Sequence, residues 1–458
     1  IWSQVNDPEE RQQWKRVIRC PAWKTQSVIV DFRVDDMRLL HRCTNGDCRF
    51  PEGILPVYVV DNEIYRYLPS VILGTIDKLA ALGNQRKLSM VFGAVDGKCP
   101  KHGYFKGVCC QAGCDCRDDW NHSVPAGISG VTLFIQDELH LLKEGLGTFD
   151  SHYETFAQRL RKEHGHEEPL KIIASSATIE AFERQVEHLY GRAPQYARRF
   201  PGLGPKGEYS FYAETLDHPQ RLFAGIVPHN KTILNAILEL IEYYHREVLL
   251  LEQVNSGSNP YGGRYAPGGA DYRALLDNYR TSLIYFLANR QLDQIHADIE
   301  GDVNGNMTRD GLPALNVREL TGNTTTQDVA RILEHLERPS VPSEELPDCV
   351  LATSMVSHGV DIDRLNMMLF YGMPRLNGEY IQASSRVGRT HVGIVFDCFH
   401  PIRERDQSHY SYFGKFHEFL GQLVEPAAIN RWSRFSICLL YTSPSPRDLS
   451  TSRMPSSA

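Results

Sequence analysis

Residues 134–140 read Phe-Ile-Gln-Asp-Glu-Leu-His, an apolar run that ends in two carboxylates with an imidazole two positions on. Further short apolar runs lie at 26–34 (QSVIVDFRV), 56–60 (PVYVV), 131–136 and 170–174 (LKIIA), with helical stretches between or after them. Strands alternating with helices imply a parallel sheet covered on both faces. A second series starts near residue 280 with Leu283-Ile-Tyr-Phe-Leu, Ala314-Leu-Asn-Val, Cys349-Val-Leu-Ala-Thr, Met367-Met-Leu-Phe-Tyr and Gly393-Ile-Val-Phe-Asp. The expected fold class is therefore α/β with two parallel-sheet domains. Between them, 229–252 reads as a long amphipathic helix through Ile233, Leu234, Ile237, Leu238, Leu240 and Ile241, and 255–270 as a Gly-rich polar linker. The expected boundaries are a first domain at 1–200 with a cysteine-rich insert at about 96–124, a helical connector and linker at 201–275, and a second domain at 276–437.

With 458 residues, 42% hydrophobic and 23% charged, the chain has the composition of a soluble globular protein of two or three domains. It has no run of about 18 uninterrupted apolar residues and no basic-then-apolar start, so a cytoplasmic location without a membrane partner is expected. A net charge of −7 argues against a surface coated in basic residues but leaves room for a local positive track along a phosphate backbone. The chain begins with Ile1 and holds no Gly-x₄-Gly-Lys-Ser/Thr phosphate loop. It is expected to be a truncated piece of a longer protein. Residues 439–458 (LYTSPSPRDLSTSRMPSSA after Leu439) switch abruptly to Ser, Pro and Arg and read as a non-native scar, with a natural disordered tail as the alternative.

A strand that delivers Asp137 and Glu138 to a sheet edge can hold Mg²⁺ through one carboxylate and activate water with the other. Alone, such a pair is usually a solvated strand end. What makes it informative is the order of the segments that follow: Ser176-Ala-Thr178, Gly359-Val-Asp361-Ile and Gln382-x₃-Arg386-x-Gly388-Arg389, each after an apolar run. A hydroxyl placed like Ser176 or Thr178, where a strand meets a helix start, is ordinarily an N-cap. Arg386 and Arg389, three apart at the expected start of a helix, share one face and can both reach a γ-phosphate across a domain cleft. That is the logic of an arginine finger.

In this order the motifs resemble those of a superfamily 2 nucleic-acid helicase with a DExH box, over roughly residues 25–437. The resemblance implies two RecA-like domains that hydrolyse ATP with Mg²⁺ in the cleft between them and move on nucleic acid. It gives Asp137 the Mg²⁺, Glu138 the attacking water, and His140 the relay of nucleotide state to the second domain. Ser176 and Thr178 would couple turnover to strand movement. Gln382, Arg386, Gly388 and Arg389 match motif VI, although Ala383 and Ser385 stand where many members carry Arg and Gly. Thr353, Gly359 and Asp361 resemble motif V, in which the Thr meets the nucleic-acid backbone and the Gly-x-Asp the nucleotide; His358 replaces a frequent Arg. Gly74-Thr75-Ile-Asp77-Lys78-Leu occupies the place of motif Ib, with Thr75 on a phosphate, and Thr321 opens a Thr-rich loop that could touch another. Each of the last two segments also reads as a plain capped helix or Thr-rich turn. The run YRYLPSVILGTIDKLAALG, the cysteine-bearing insert and VEPAAINRWSRF look like large bacterial phage-defence helicases of the DISARM type. DNA is accordingly favoured over RNA, and defence-complex subunits are expected partners.

Of eleven cysteines, seven lie between residues 43 and 116. In a cytoplasmic chain such clustering points to metal rather than disulfides, and thiolates with one imidazole suit a tetrahedral Zn²⁺. The expected ligands are Cys99, His102, Cys110 and Cys114, with Cys43 and Cys48 as competitors, for about one zinc per chain; reduced thiols in a loop are the bland alternative.

Two other functions fit less well. A nucleic-acid-binding scaffold would have no need of Glu138, Arg386 and Arg389. A duplex remodeller that does not separate strands would use the same motor. Without a phosphate loop, the isolated chain is expected to show little or no ATPase activity.

Overall fold

A computed structural model describes residues 7–80, 85–109, 114–116, 119–122, 128, 130–176, 182–200, 217–253, 270–321, 324, 326–337, 346–353, 362–434 and 436–438. The chain divides into two compact units, Ile1–Ser176 with Ala181–Arg198 and Ala427–Ala458, and Ala177–Glu180 with Arg199–Pro426. The Gly-rich linker and the Ser/Pro-rich tail lie outside the described residues. No described helix is long and apolar enough to cross a membrane.

In the first unit, β1 (Val28–Arg33) pairs antiparallel with β2 (Arg38–Cys43), in register from Val28 opposite Cys43 to Arg33 opposite Arg38. This corrects the expectation that 26–34 joins a parallel sheet. Only four residues separate the two strands, and a parallel return needs a crossover of a dozen or more. Buried Arg66 donates to the Asp36 and Met37 carbonyls, and Glu63 accepts the Leu39 N–H at 2.7 Å, so the helix Asp61–Tyr67 clamps the hairpin turn. Residues 56–60, expected as a strand, form none. A small antiparallel pair follows, β3 (Gly97–Cys99) and β4 (Gly103–Phe105).

The parallel pairing expected in this unit is present between β5 (Leu133–Gln136) and β6 (Lys171–Ala174). Both strands leave apolar side chains in solvent: Leu133 is 44% exposed, Ile135 65% and Ile173 46%. The helix Glu144–Glu163 is gripped by residues 428–436. Glu144 N–H donates to Ala428 O, Asn430 N–H to Thr148 Oγ1 at 3.2 Å, and Arg431 to Thr155 Oγ1 at 2.6 Å. A Cβ on Gly147 would meet Leu142 O at 2.6 Å and the Ile429 side chain at 3.2 Å, so this approach needs glycine. The first unit therefore includes a late segment that the sequence placed in the second domain.

The second unit is built on one six-stranded sheet in the order β7-β12-β11-β8-β10-β9, all parallel. Its strands are β7 (Arg221–Ile226), β8 (Ser282–Tyr285), β9 (Val317–Leu320), β10 (Cys349–Ala352), β11 (Met367–Tyr371) and β12 (Gly393–Cys398). Successive residues bury on opposite faces. Ile284, Leu351 and Leu369 pack in one layer with Ile237 and Ile241 of the helix Ile233–Gln253, while Leu283, Val350 and Met368 pack in the other with Tyr380 and Val387. Burial on both faces is why these strands read as unbroken apolar runs. β7 is one edge strand and the long helix covers one face, so residues 221–253, expected within a connector, belong to the sheet domain instead.

On the second face, the buried Tyr380 hydroxyl lies 2.8 Å from both Asp397 Oδ2 and His417 Nε2. Burial pushes the Asp397 carboxyl up to about 7, with the Tyr380 hydrogen bond pulling the other way. Unfolded, the group titrates near 4. The folded state thus keeps a proton that the unfolded state releases, and this contribution to stability is lost as pH rises from about 4 to about 7. Asp397→Asn should remove that slope. Chemical denaturation across this range should show the variant gaining on wild type by on the order of 1 kcal/mol per pH unit; a constant difference would contradict the assignment.

Candidate functional site

β5 ends at Gln136, and the next two residues are the carboxylates. The β5–β6 register continues past the strand ends, with Ser175 N–H donating to Gln136 O and Leu139 N–H to Ser175 O, both at 2.9 Å. This sets the Ser175 hydroxyl 2.5 Å from Asp137 Oδ1, an oxygen that also accepts the Glu138 N–H at 3.0 Å. Glu138 sits in the left-handed region at φ 52°, ψ 50°. For a non-glycine residue that conformation costs on the order of 1 kcal/mol and persists only when the surroundings hold it. Buried Gln185 supplies the hold by donating to Leu139 O at 2.9 Å and Leu142 O at 3.1 Å. His140 Nδ1 then stands 3.3 Å from Glu138 Oε2 and 3.2 Å from Ser176 Oγ.

Asp137, Glu138, His140 and Ser176 therefore cluster at the C-terminal ends of two parallel strands, with His140 in contact with both Glu138 and Ser176. Thr178 lies outside the described residues. An exposed carboxylate with one oxygen fixed from two sides is a hard, oriented oxygen donor of the kind Mg²⁺ takes. The residues present thus fit a metal–nucleotide ligand. Ser175 and Gln185 were not singled out from sequence; the Ser-Ser doublet after a strand was the available signal for the first.

In the second unit, Gln382 is buried on the helix Asn377–Ser384. Arg386 and Arg389 follow this helix and do not begin one, which corrects the expected shared helical face. The Ser384 and Ser385 hydroxyls bond back to Ile381 O and Gln382 O, and Gly388 at φ 76° turns the chain. A Cβ on Gly388 would meet Gln220 O at 2.5 Å, so only glycine fits. Arg386 is buried and Arg389 exposed. Arg221 on β7, also not singled out from sequence, braces this turn from below. Its Nε donates to Val387 O at 2.8 Å and its Nη2 to Ser385 O at 3.3 Å. Burial, and then the nearby positive charge of Arg389, lower the Arg221 pKa.

Thr353 follows β10 and donates its N–H to Leu320 O at 3.4 Å, while Thr321 follows the adjacent β9 and donates its N–H to Thr324 Oγ1 at 3.0 Å. Both threonines thus sit at the C-terminal edge of the sheet, where ligands of α/β folds collect. Gly359 and Asp361 lie outside the described residues. In the first unit, Thr75 is exposed just before the short helix Ile76–Ala80, and its carbonyl accepts the Lys78 N–H.

The β3–β4 turn brings Cys99 and His102 together with Cys109 and Cys114, one ligand atom of each lying within 4.8 Å of the others. Cys99 Sγ is 3.7 Å from Cys114 Sγ, and His102 Nδ1 is 3.4 Å and 3.3 Å from the two sulfurs. A tetrahedral zinc with bonds of about 2.3 Å to sulfur and about 2.05 Å to nitrogen requires edges of roughly 3.8 and 3.5 Å. The geometry fits. Three of the four expected ligands are in this group, and Cys109 supplies the fourth among the described residues; Cys110 lies outside them. Burial would raise the Cys114 thiol, but the Cys116 N–H and the contacts to Cys109, Cys99 and His102 outweigh it and bring the group down to about 6. Cys116 is not in this group of four, and burial with its hydrogen bond to Asp115 pushes its thiol up to about 12. Cys43 and Cys48, expected as competitors, stand apart from this set and group with Cys20.

Residues 273–391 match the helicase conserved C-terminal domain. Over 444 residues the chain is 34% identical to the DISARM protein DrmA of Bacillus paralicheniformis (strain ATCC 9945a / NCIMB 11709 / CD-2), covering 90% of this chain and 37% of that protein. The chain spans about 37% of the length of this curated relative. Among solved structures, the DUF1998 helicase MrfA bound to DNA and AMPPNP is 15% identical with a TM-score of 0.48, over 69% of this chain and 36% of that one. The helicase Lhr of Mycobacterium smegmatis bound to ssDNA and AMP-PNP is 16% identical with a TM-score of 0.40, over 66% and 33%. The chain is thus an α/β protein that carries a helicase C-terminal domain and is similar to DrmA over nine-tenths of its length.

Proposed function

We propose that this chain is the part of an ATP-dependent superfamily 2 translocase that holds the DExH carboxylates and the motif VI arginines, acting on nucleic acid, with DNA as the substrate. The observation that carries the reading is the cluster of Asp137, Glu138, His140 and Ser176, because a solvated strand end has no reason to bring together a carboxylate, an imidazole and the hydroxyl of a neighbouring strand. The helicase C-terminal match over residues 273–391 supports it from the other unit. Similarity to DrmA supports a place in a defence complex.

Mg²⁺–ATP, when bound, supplies a phosphoryl group whose charge is partly neutralised. Asp137, its orientation fixed by Ser175, would hold the metal. Glu138 would align a water and take its proton, and its left-handed backbone, pinned by Gln185, keeps the carboxylate from swinging away. A change in the charge or position of Glu138 passes to His140, and through the hydrogen bond to Ser176 reaches the chain segment that leaves β6. Arg386 and Arg389 would supply positive charge to nucleotide phosphates, with Gln382 and Gly388 shaping their approach and the Gly359–Asp361 segment meeting the nucleotide. Thr75, Thr321 and Thr353 would contact phosphates of the tracked strand. Zinc bound by Cys99, His102, Cys109 and Cys114 would tie down a segment with few buried apolar side chains.

In the longer polypeptide that supplies a phosphate loop, ATP turnover should be stimulated by DNA more than by RNA. Glu138→Gln should lower it about 10²–10⁴-fold while nucleotide and DNA binding persist. Undiminished turnover in that variant would refute the assigned base. For the metal, Cys114→Ser should lose one zinc equivalent by elemental analysis, and zinc retention should fall as pH drops because the thiolates must be deprotonated; a folded wild-type protein free of zinc would remove this part of the reading.

A further inference from the structure

The hairpin at the start of the chain carries a second thiol cluster. We propose that Cys20, Cys43 and Cys48 hold a metal ion of their own, zinc by the chemistry of the ligands, independent of the ion at Cys99–Cys114. The Sγ atoms of these three residues all lie within 4.8 Å of one another, and Cys20 Sγ is 3.9 Å from Cys48 Sγ. Three sulfurs around one tetrahedral zinc would stand roughly 3.8 Å apart, whereas sulfurs around a multi-iron cluster must be spread more widely because several metal atoms lie between them. The spacing fits a single ion.

Two turns build the cluster, and the β1–β2 register brings them together. Cys20 opens a tight turn in which Lys24 N–H donates to Cys20 O at 2.7 Å and Cys20 N–H to Thr25 O at 2.9 Å, with Lys24 in the left-handed region at φ 54°. Cys43 ends β2 opposite Val28, and Thr44 N–H donates to Ser27 O at 2.8 Å, which ties the second turn to the first. Cys48 closes that turn with its N–H on Asn45 O at 3.1 Å.

Donors then converge on the sulfurs. The Asn45 N–H bonds Cys43 Sγ and the Phe50 N–H bonds Cys48 Sγ, each from two residues further along the chain. Ser27 Oγ is 3.2 Å from Cys43 Sγ. The Cys116 N–H meets Cys114 Sγ in the same two-residue pattern at the other cluster. The local core is slight, with Val28 and Leu55 as its buried aliphatics beside Cys20 and Cys43, so a metal adds cross-links where packing is thin. Each ion that binds displaces the protons of three thiols into solvent.

No further Cys, His, Asp or Glu of the described residues joins the group. Trp23, 46% exposed, occupies the position three residues after Cys20 where a two-cysteine turn would carry its second thiolate. With three thiolates among the described residues and solvent completing its shell, this ion would exchange faster than the one held by three thiolates and an imidazole.

Elemental analysis and native mass spectrometry of the whole chain, purified under reducing conditions, should find two zinc equivalents. A chelator with a colour readout should remove them in two phases. Cys48→Ser should abolish the fast phase alone and Cys114→Ser the slow phase alone, so failure of one site is distinguishable from failure of the other. If Cys48→Ser does not fold, the wild-type stoichiometry and the two phases still decide the matter. A single equivalent in wild type that Cys48→Ser leaves untouched, or a Cys20–Cys48 disulfide in place of metal, would overturn the proposal.

Discussion

Parallel pairing of β5 with β6 is the constraint on which the candidate nucleotide chemistry depends. With Gln136 opposite Ala174, the residues just beyond the two strands meet in a fixed order, Ser175 on Asp137 and Ser176 on His140. A slip of one residue would turn every side chain of the strand to the other face and separate both pairs. The left-handed backbone of Glu138 follows from the same register, because Leu139 N–H must reach Ser175 O immediately after the carboxylates. Gln185, on the helix that comes after β6, closes the arrangement by binding carbonyls on both sides of His140.

The second unit solves a related problem by different means. Its arginines leave a helix end instead of entering a helix start, and the path between them is set by Gly388, where the Gln220 carbonyl leaves no room for a Cβ. Arg221 reaches up from the edge strand to hold the carbonyls of Ser385 and Val387, so a strand that looked like part of a connector positions the turn that presents Arg389. Burying a positive side chain beneath a positive loop has an electrostatic cost, visible in the lowered Arg221 pKa, but two hydrogen bonds to the Ser385 and Val387 carbonyls offset it.

Four strands of the six-stranded sheet were legible in the sequence because strands buried on both faces are largely apolar, as the runs at 283, 349, 367 and 393 are. β1 was read as a strand correctly but assigned to the wrong kind of sheet, since its apolar content says nothing of a partner five residues away. The helical placement of Arg386 and Arg389 rested on spacing alone, and spacing does not register the serines that end the helix before them. Ser175, Gln185 and Arg221 act through contacts between segments distant in the chain, and nothing in their local sequence announces them. The cysteine insert was legible as a metal-type cluster; the grouping of Cys43 and Cys48 with Cys20 was not, because 22 residues and a hairpin lie between Cys20 and Cys43.

The central proposal is that the strand-end carboxylates and the motif VI arginines both act on the phosphates of ATP. Photo-crosslinking with an ATP analogue reactive at its γ-phosphate, in the longer polypeptide with DNA bound, followed by peptide mapping, tests it directly. The account predicts adducts on both the peptide holding Asp137–His140 and the peptide holding Arg386–Arg389, each suppressed by excess ATP. Adducts confined to one of the two, under conditions where ATP turns over, would contradict it.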